Sequence, residues 1–489
     1  MKKILVTLFL GLMFVSCQDW LDINVNPNTP SEEDLSSDEV LPQAELSLAS
    51  AYGGMLHNMG SFFVQYYDQG VGASNYKEYT RYNILPTNGT RVYEELYVGC
   101  LANAAVAEKL SAADEEWGSY LAAVTLKAFA YQALVDCFGE TPYTEALQAP
   151  VITNPKYDEG KSVYAGIISE LDNAISKSEG ATYSTKELLF GDKNSTTNWR
   201  QFAKALKLRL LMRQATVSGA NVKDQVMALI AEGDLPTSDV KFTCWTDDSG
   251  KSNPFYEDAV RFLSKNDHMG AHAFITTMAN ANDPRLDKLF NKSKNSGTHK
   301  GGVTGAEYIT STDPIDNFSR PIFNATAPVY MITTMEINFW IAEAQYRWGS
   351  KSDAKKYYEK AIDASYAMYD LDGAGNVYGA GKAYEWKDAD GLKLIAIQKW
   401  LGLACVNGFE AWCEIRRLGY PTFSDQLGSA ILKDVTKYTV NTLISPINVV
   451  IAVGDKQMLN RLYYAQGSLD KNPNAPAQKT PVTKIFWQE

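Results

Sequence analysis

Histidine is scarce in this chain, with four in 489 residues. A site built on imidazoles therefore has few places to be. His268 and His272 stand one helical turn apart in HMGAH, but Met269 occupies the place of the glutamate that a zinc-protease helix carries after its first histidine. Core or surface histidines account for the pair. Phosphate-cradling loops are lacking as well. GKS occurs at 160–162 and at 250–252, yet Pro155 and Trp245 stand where a P-loop needs its first glycine. There is no G-x-S-x-G nucleophile elbow. The 57 acidic residues offer many carboxylate pairs, and no spacing singles one out for glycosidase chemistry.

Positive charge is in deficit. The formal net charge is −11, and loss of the leader with Lys2 and Lys3 makes the mature chain more acidic still. Such a surface excludes nucleic acid, whose phosphates need a basic face, and electrostatic docking on anionic lipid. Long apolar runs are missing too. A spanning helix needs about 20 apolar residues. Ile4 to Val15 is shorter, and Ile444 to Val453 is interrupted by Pro446 and Asn448. Cysteine is sparse: Cys17, Cys100, Cys137, Cys244, Cys405 and Cys413. With Cys17 set aside an odd five remain, which is no disulfide framework. Cys100, Cys137, Cys405 and Cys413 lie in apolar helical stretches and are expected to pack as small hydrophobes.

What is present begins with an address. Two lysines precede the apolar run, and Ser16-Cys17 ends it. This has the form of a secretory leader closed by a lipobox, with cleavage before Cys17 and acylation of that residue. Residues 1–16 then form a signal peptide, 17–36 a lipidated polar tether, and 37–489 a single domain.

Helices dominate that domain. Val92, Leu96, Cys100, Ala104 and Ala107 recur at helical spacing, as do Trp117, Leu121, Val124, Ala128, Tyr131 and Val135 up to Gly139. Further helices are expected at Val163 to Ile175 and at Trp199 to Ala215. In the latter Lys204, Lys207, Arg209 and Arg213 are expected to carry their charged ends to water. MEINFWIAEAQYRW and SDAKKYYEKAIDASYAMY form the clearest pair, with Ser352 as the expected N-cap. Ala354, Tyr358 and Ala361 give the small-aromatic-small spacing of a tetratricopeptide second helix, although Tyr366 stands where that repeat has its proline. LKLIAIQKWLGLACV and GFEAWCEIRRLGYP form the last pair. Trp199, Trp340, Trp400 and Trp412 fall on helical stripes and are assigned to the core. The fold class is mainly α: tetratricopeptide-like helix pairs as a scaffold, with long irregular inserts and minor β. The inserts are 62–85, 242–256, 291–328 and 370–381; long loops in compact domains tend to be functional. The tail closes on IFW and is expected to be packed down.

Several segments together resemble the SusD/RagB family of Bacteroidota outer-membrane lipoproteins. They are DCFGETPYTEAL (136–147), WRQFAKALKLRLLMR (199–213), NDPRLDKLF (282–290), EINFWIAEAQYRWG (336–349), QKWLGLACVNGFEAWCEIRRLGYP (398–421) and RLYYAQGSLDKNPNAP (461–476). Their order and spacing behind a lipobox carry the resemblance, and the aromatic insert after the first helix resembles the SusD-like 2 subgroup. The resemblance implies a lipid-anchored, cell-surface protein of the outer membrane that is not an enzyme. It implies capture of an oligosaccharide, or of a peptide, and delivery to a SusC-like TonB-dependent transporter. It further implies that the helix-pair face meets the transporter and the irregular face holds ligand. A lipid-anchored glycan hydrolase and a ligand-free helical scaffold are the rivals.

Sugar rings lay apolar C–H faces on aromatic side chains, while their hydroxyls bond to Asn, Asp, Gln and Arg. The inserts supply candidates of this kind. Tyr76, Tyr79 and Tyr82 step by three, a spacing that equally suits one face of a short helix. Trp245 adjoins Asp247, Tyr256 follows in the same insert, and Phe318 sits near Arg320. For each the alternative is a loop aromatic tucked onto the scaffold. No cofactor is expected. DLDGAGN (370–376) leaves a structural calcium loop open beside a plain turn, because its glycine falls fourth where an EF-hand needs it sixth.

Overall fold

The computed structural model describes residues 35–183, 187–191 and 195–488. The signal peptide, Cys17 and nearly all of the tether lie outside these residues. The chain is mainly α, with tetratricopeptide-like helix pairs. The first helix, α1 (Ser37–Ser50), continues through a π-helical turn, Ala51–Leu56, into His57–Phe63. Four consecutive pairs follow. They are α2 (Ala102–Ala113) with α3 (Trp117–Phe138), and α4 (Gly160–Lys177) with α5 (Thr196–Arg213). Then come α6 (Thr334–Trp348) with α7 (Lys351–Ala367), and α8 (Gly391–Gly402) with α9 (Gly408–Leu418). Within each pair the helices pack on one another.

Local chemistry sets the ends. At α6, Thr333 and Glu336 form a capping box: the Glu336 N–H donates to Thr333 Oγ1 (3.1 Å), and the Thr333 N–H donates to Glu336 Oε2 (2.9 Å). At α7 the cap is Ser350 rather than Ser352; its Oγ accepts from the Asp353 N–H at 3.0 Å. Gly349-Ser350 already breaks the chain direction, so the helix starts two residues earlier than the spacing predicts. At the end of α9, Gly419 takes the left-handed conformation, φ 74° and ψ 12°.

One apolar core runs from Val40 in α1 to Trp487 near the C-terminus. Trp199, Trp340, Trp400 and Trp412 are buried in it, as assigned from their stripes. Ala354, Tyr358 and Ala361 are fully buried between helices. The tail is packed down: the Trp487 Nε1–H donates to Asp136 Oδ1 at 2.7 Å. The helix α3 corrects the expectation that long apolar runs are missing. It is long and apolar enough by composition, but 94% of that stretch is buried inside the protein. Its apolar surface is spent on neighbouring helices.

The basic residues of α5 depart from expectation. Arg209 and Arg213 do not reach water; each is 1% exposed. Arg213 pairs with Glu410 and Glu414 at 2.5 Å and with Asp136 at 3.4 Å. Arg209 donates to the Met331 carbonyl (2.6 Å) and to Tyr52 Oη (3.1 Å), beside Glu336 at 3.4 Å. Arg417 grips Glu343 through both guanidinium nitrogens (2.7 and 2.6 Å), and Lys399 pairs with Glu414. Burial alone would raise the Glu414 carboxyl, but Arg417, Lys399 and Arg213 hold it well below the usual range. Lys204 is buried as well, paired with Glu232 and Asp234, and Lys207 pairs with Asp172. A charged head with hydrogen-bonded partners is retained in the interior, whereas an unpaired one is not. The network joins α3, α5, α6, α8 and α9.

Four two-stranded ribbons complete the fold among the described residues. Three are antiparallel: β1 (Tyr67–Gln69) with β3 (His268–Gly270), β2 (Val240–Phe242) with β6 (Val329–Ile332), and β4 (Phe290–Asn291) with β5 (Arg320–Pro321). The fourth, β7 (Phe423–Leu427) with β8 (Leu443–Ser445), is parallel. These ribbons staple the inserts to one another. β1–β3 joins the first insert to the stretch after the second, and the Gly270 N–H donates to the Ser319 carbonyl of the third at 2.8 Å. Contact here is close enough to require glycine. A Cβ at Gly70 would collide with the Asn266 carbonyl oxygen.

Candidate functional site

The ribbon β4–β5 sets the site. Its register places Asn291 opposite Arg320, so both side chains leave the same face, while Phe290 and Pro321 turn inward. Beside this face lies a cavity of about 290 Å³, lined by Tyr256, Val260, Lys265, Asn291, Arg320, Pro321, Ile322 and Phe323. It lies at the small end of ligand sites. A smaller apolar pit of about 80 Å³ adjoins it, shares Tyr256, Ile322 and Phe323, and continues to Tyr67, Phe255 and Val406.

Tyr256 is held by a helical turn capped by Asn253, whose Oδ1 accepts from the Phe255 and Tyr256 N–H groups (2.9 and 3.2 Å). The Arg261 guanidinium lies 5.3 Å from the Tyr256 ring centroid. Arg261 also binds Asp247, through both its carboxylate and its carbonyl at 2.7 Å. Asp247 is therefore tied to the site's rim rather than aimed into the cavity. Arg320 donates from Nη1 to Asn266 Oδ1 at 2.8 Å.

Behind the cavity stands an aromatic cluster centred on His268. Phe255, Phe323, Tyr67 and Tyr76 ring centroids lie 4.7–5.6 Å from it. Burial lowers the His268 imidazole to about 3, and His57 beside it adds to the effect. Burial lowers His57 itself to about 4. Both rings are therefore neutral packing groups at physiological pH. His268 Nε2 meets Asn58 Oδ1 at 3.0 Å, which serves the core rather than a metal. Among the described residues no three His, Cys, Asp or Glu side chains converge as metal ligands.

The sequence candidates divide. Tyr256 and Arg320 meet in one cavity. Tyr76 and Tyr79 are half-buried and lean on Phe62 at 4.9 and 6.0 Å, so their faces are largely used by the scaffold. Tyr76 reaches this contact from a left-handed backbone, φ 65°. Burial raises the Tyr79 hydroxyl to about 12, with Glu78 and Asp258 adding to it. Tyr82 is a correction: it is fully buried and its hydroxyl donates to the Phe63 carbonyl at 2.7 Å. Phe318 is another. It closes the 3-10 turn Ile315–Asn317, ahead of the strand, and is buried there against Tyr308, ring centroids 4.8 Å apart. Trp245 is half-buried against the core and does not line the cavity.

Lys265, Asn291, Ile322 and Phe323 line the same cavity and were not among the sequence candidates. No local pattern marks them, since cross-chain register and loop packing bring them together. A larger groove of about 1090 Å³ lies elsewhere, between the start of α5, the β2–β6 ribbon and the end of α7. It holds none of the ligand-binding candidates; Asp370, at the start of DLDGAGN, lines it.

Comparison with known proteins follows the same geometry. Residues 27–437 match the SusD-like 2 family, described as "Starch-binding associating with outer membrane". No curated protein sequence matches the chain. Among solved structures, a chitin-binding SusD homologue from Flavobacterium johnsoniae superposes with a TM-score of 0.73 at 19% identity, covering 92% of this chain and 98% of that one. A SusD homologue from Bacteroides uniformis gives 0.70 at 21% identity, covering 92% and 100%. One from Bacteroides thetaiotaomicron gives 0.72 at 19%, covering 93% and 99%. At such identities the structures establish the shared fold, and the sequence match over most of the chain establishes the family: this protein belongs to the SusD-like 2 family.

Proposed function

We propose that the protein is a cell-surface, lipid-anchored binder that captures an oligosaccharide and delivers it to a SusC-like TonB-dependent transporter of the outer membrane, without covalent chemistry of its own. The observation that carries this reading is the cavity on the insert face. There the Tyr256 and Phe323 rings stand beside the donors of Arg320, Lys265 and Asn291. An aromatic face beside convergent polar groups is what a pyranose ring requires. The starch-binding description of the family and the chitin-binding names of two structural neighbours support it. Cys17 would carry the lipid, with residues 17–36 as the tether and 37–489 as one domain.

The test is calorimetric titration against a panel of oligosaccharides, with Tyr256→Ala alongside. Loss of one stacking ring is expected to weaken binding about tenfold, with an unchanged melting transition. Equal affinity in the variant would remove Tyr256 from the site. Release of reducing ends on prolonged incubation, abolished by changing a single carboxylate, would replace binding by hydrolysis. Saturation by peptides alone would change the nutrient class.

A further inference from the structure

We propose that the saccharide taken at this cavity is anionic, carrying a carboxylate or a sulfate. The proposal rests on the glycan-binding reading of the same site. Charge is the first argument. The chain holds 57 acidic against 46 basic side chains, yet the cavity wall contains Lys265 and Arg320 and no carboxylate.

Unused donors are the second. A guanidinium has five N–H donors. Arg320 spends one on Asn266 Oδ1, at 2.8 Å. Its nearest carboxylate oxygen, on Asp316, is 3.9 Å away, beyond hydrogen-bond reach, and Asp316 is also engaged by Lys294 at 3.2 Å. The Arg320 side chain is 23% exposed, so the remaining donors are sheltered but open to the cavity it lines. Lys265 makes no ion pair among the described residues, and Asn291 stands across the ribbon from Arg320 with its amide on the same face.

The acids of the neighbouring insert are turned to other partners. Asp247 and the adjoining Glu257 bind Arg261 at 2.7 and 3.2 Å, and Asp248 accepts from Thr246 Oγ1 at 3.1 Å. A planar, forked donor set left unmatched beside an aromatic face suits an oxyanion on a ring better than a neutral hydroxyl. Neutral sugars leave Lys265 without a counter-charge and Arg320 with only the Asp316 carboxylate at 3.9 Å.

The experiment titrates the full-length mature chain with oligogalacturonate, with a heparin-derived oligosaccharide, and with neutral cello- and chito-oligosaccharides, each at low and high salt. The expected result is saturable binding of one acidic probe that weakens as salt rises. Arg320→Gln and Lys265→Gln are each expected to lower that affinity about tenfold or more, with melting transitions matching the parent. The uronate and sulfate arms identify which anion is read. Tight, salt-insensitive binding of a neutral probe, unchanged in Arg320→Gln, overturns the anionic assignment and leaves glycan binding standing. Binding of acidic peptides alone overturns both. A well-folded protein that binds no acidic probe also overturns the proposal.

Discussion

Removing one cation from the scaffold's interior tests whether the buried network is held by charge pairing or by packing. Arg213→Met is the perturbation. Arg213 touches Glu410 and Glu414 at 2.5 Å and Asp136 at 3.4 Å, and these four side chains are 0–5% exposed. Methionine fills much of the same volume, so the apolar contacts largely survive. The carboxylates do not, because breaking a buried pair leaves charge in a low dielectric, at a cost of about 3–5 kcal/mol. The loss also carries a pH signature. Carboxylates stripped of a cation ionise less readily in the folded chain than in the unfolded one. Protonation removes the stranded charge, so the deficit is full at neutral pH and shrinks as pH falls toward the ordinary glutamate value. Urea unfolding followed by tryptophan fluorescence, at neutral and mildly acidic pH, measures both effects. A second variant, Arg213→Met with Glu410→Leu, replaces the pair by apolar groups and should recover most of the stability. A deficit below about 1 kcal/mol at neutral pH, or a double variant no better than the single one, would refute the charge-pairing account.

Two further outcomes are expected. Glu45 and Glu187 meet in the interior, where burial and mutual repulsion raise the Glu45 carboxyl well above its ordinary value, and burial raises Glu187. A raised folded pKa contributes stability below the unfolded value, and that contribution is lost as pH rises. Glu45→Gln should therefore gain stability relative to the parent from acidic to neutral pH, read from melting temperatures across that range; a constant difference would show that the pair does not share its proton. Cys17→Ala should appear in the soluble fraction and still bind the saccharide of the parent. Retention in the membrane fraction would place the anchor elsewhere.

Helices were legible because their signal is local. Trp117, Leu121, Val124 and Val135 repeat at the helical period, and α3 runs where they place it. The four core tryptophans were legible for the same reason. Lys204, Arg209 and Arg213 were not, because an arginine on a helix looks the same whether its partner is water or a glutamate on another helix. For Arg213 it is Glu410 and Glu414, some 200 residues away in sequence, that decide it. The lining of the candidate cavity was half legible. Tyr256 and Arg320 were named from composition, but so were Tyr82 and Phe318, which the loops bury.

The sequence by itself determined the helix pairs, the core tryptophans, the acidic surface and the family, since periodicity, charge and the order of family-like segments are properties of the chain read in one dimension. Tertiary structure alone decided which insert aromatic faces a cavity and which props the scaffold. It also decided that Lys265, Asn291, Arg320 and Phe323 share one wall. The physical reason is that a ribbon's register and the docking of one insert on another rest on contacts between residues distant in sequence, and a shift of one residue at β4–β5 would turn Arg320 inward and Pro321 out.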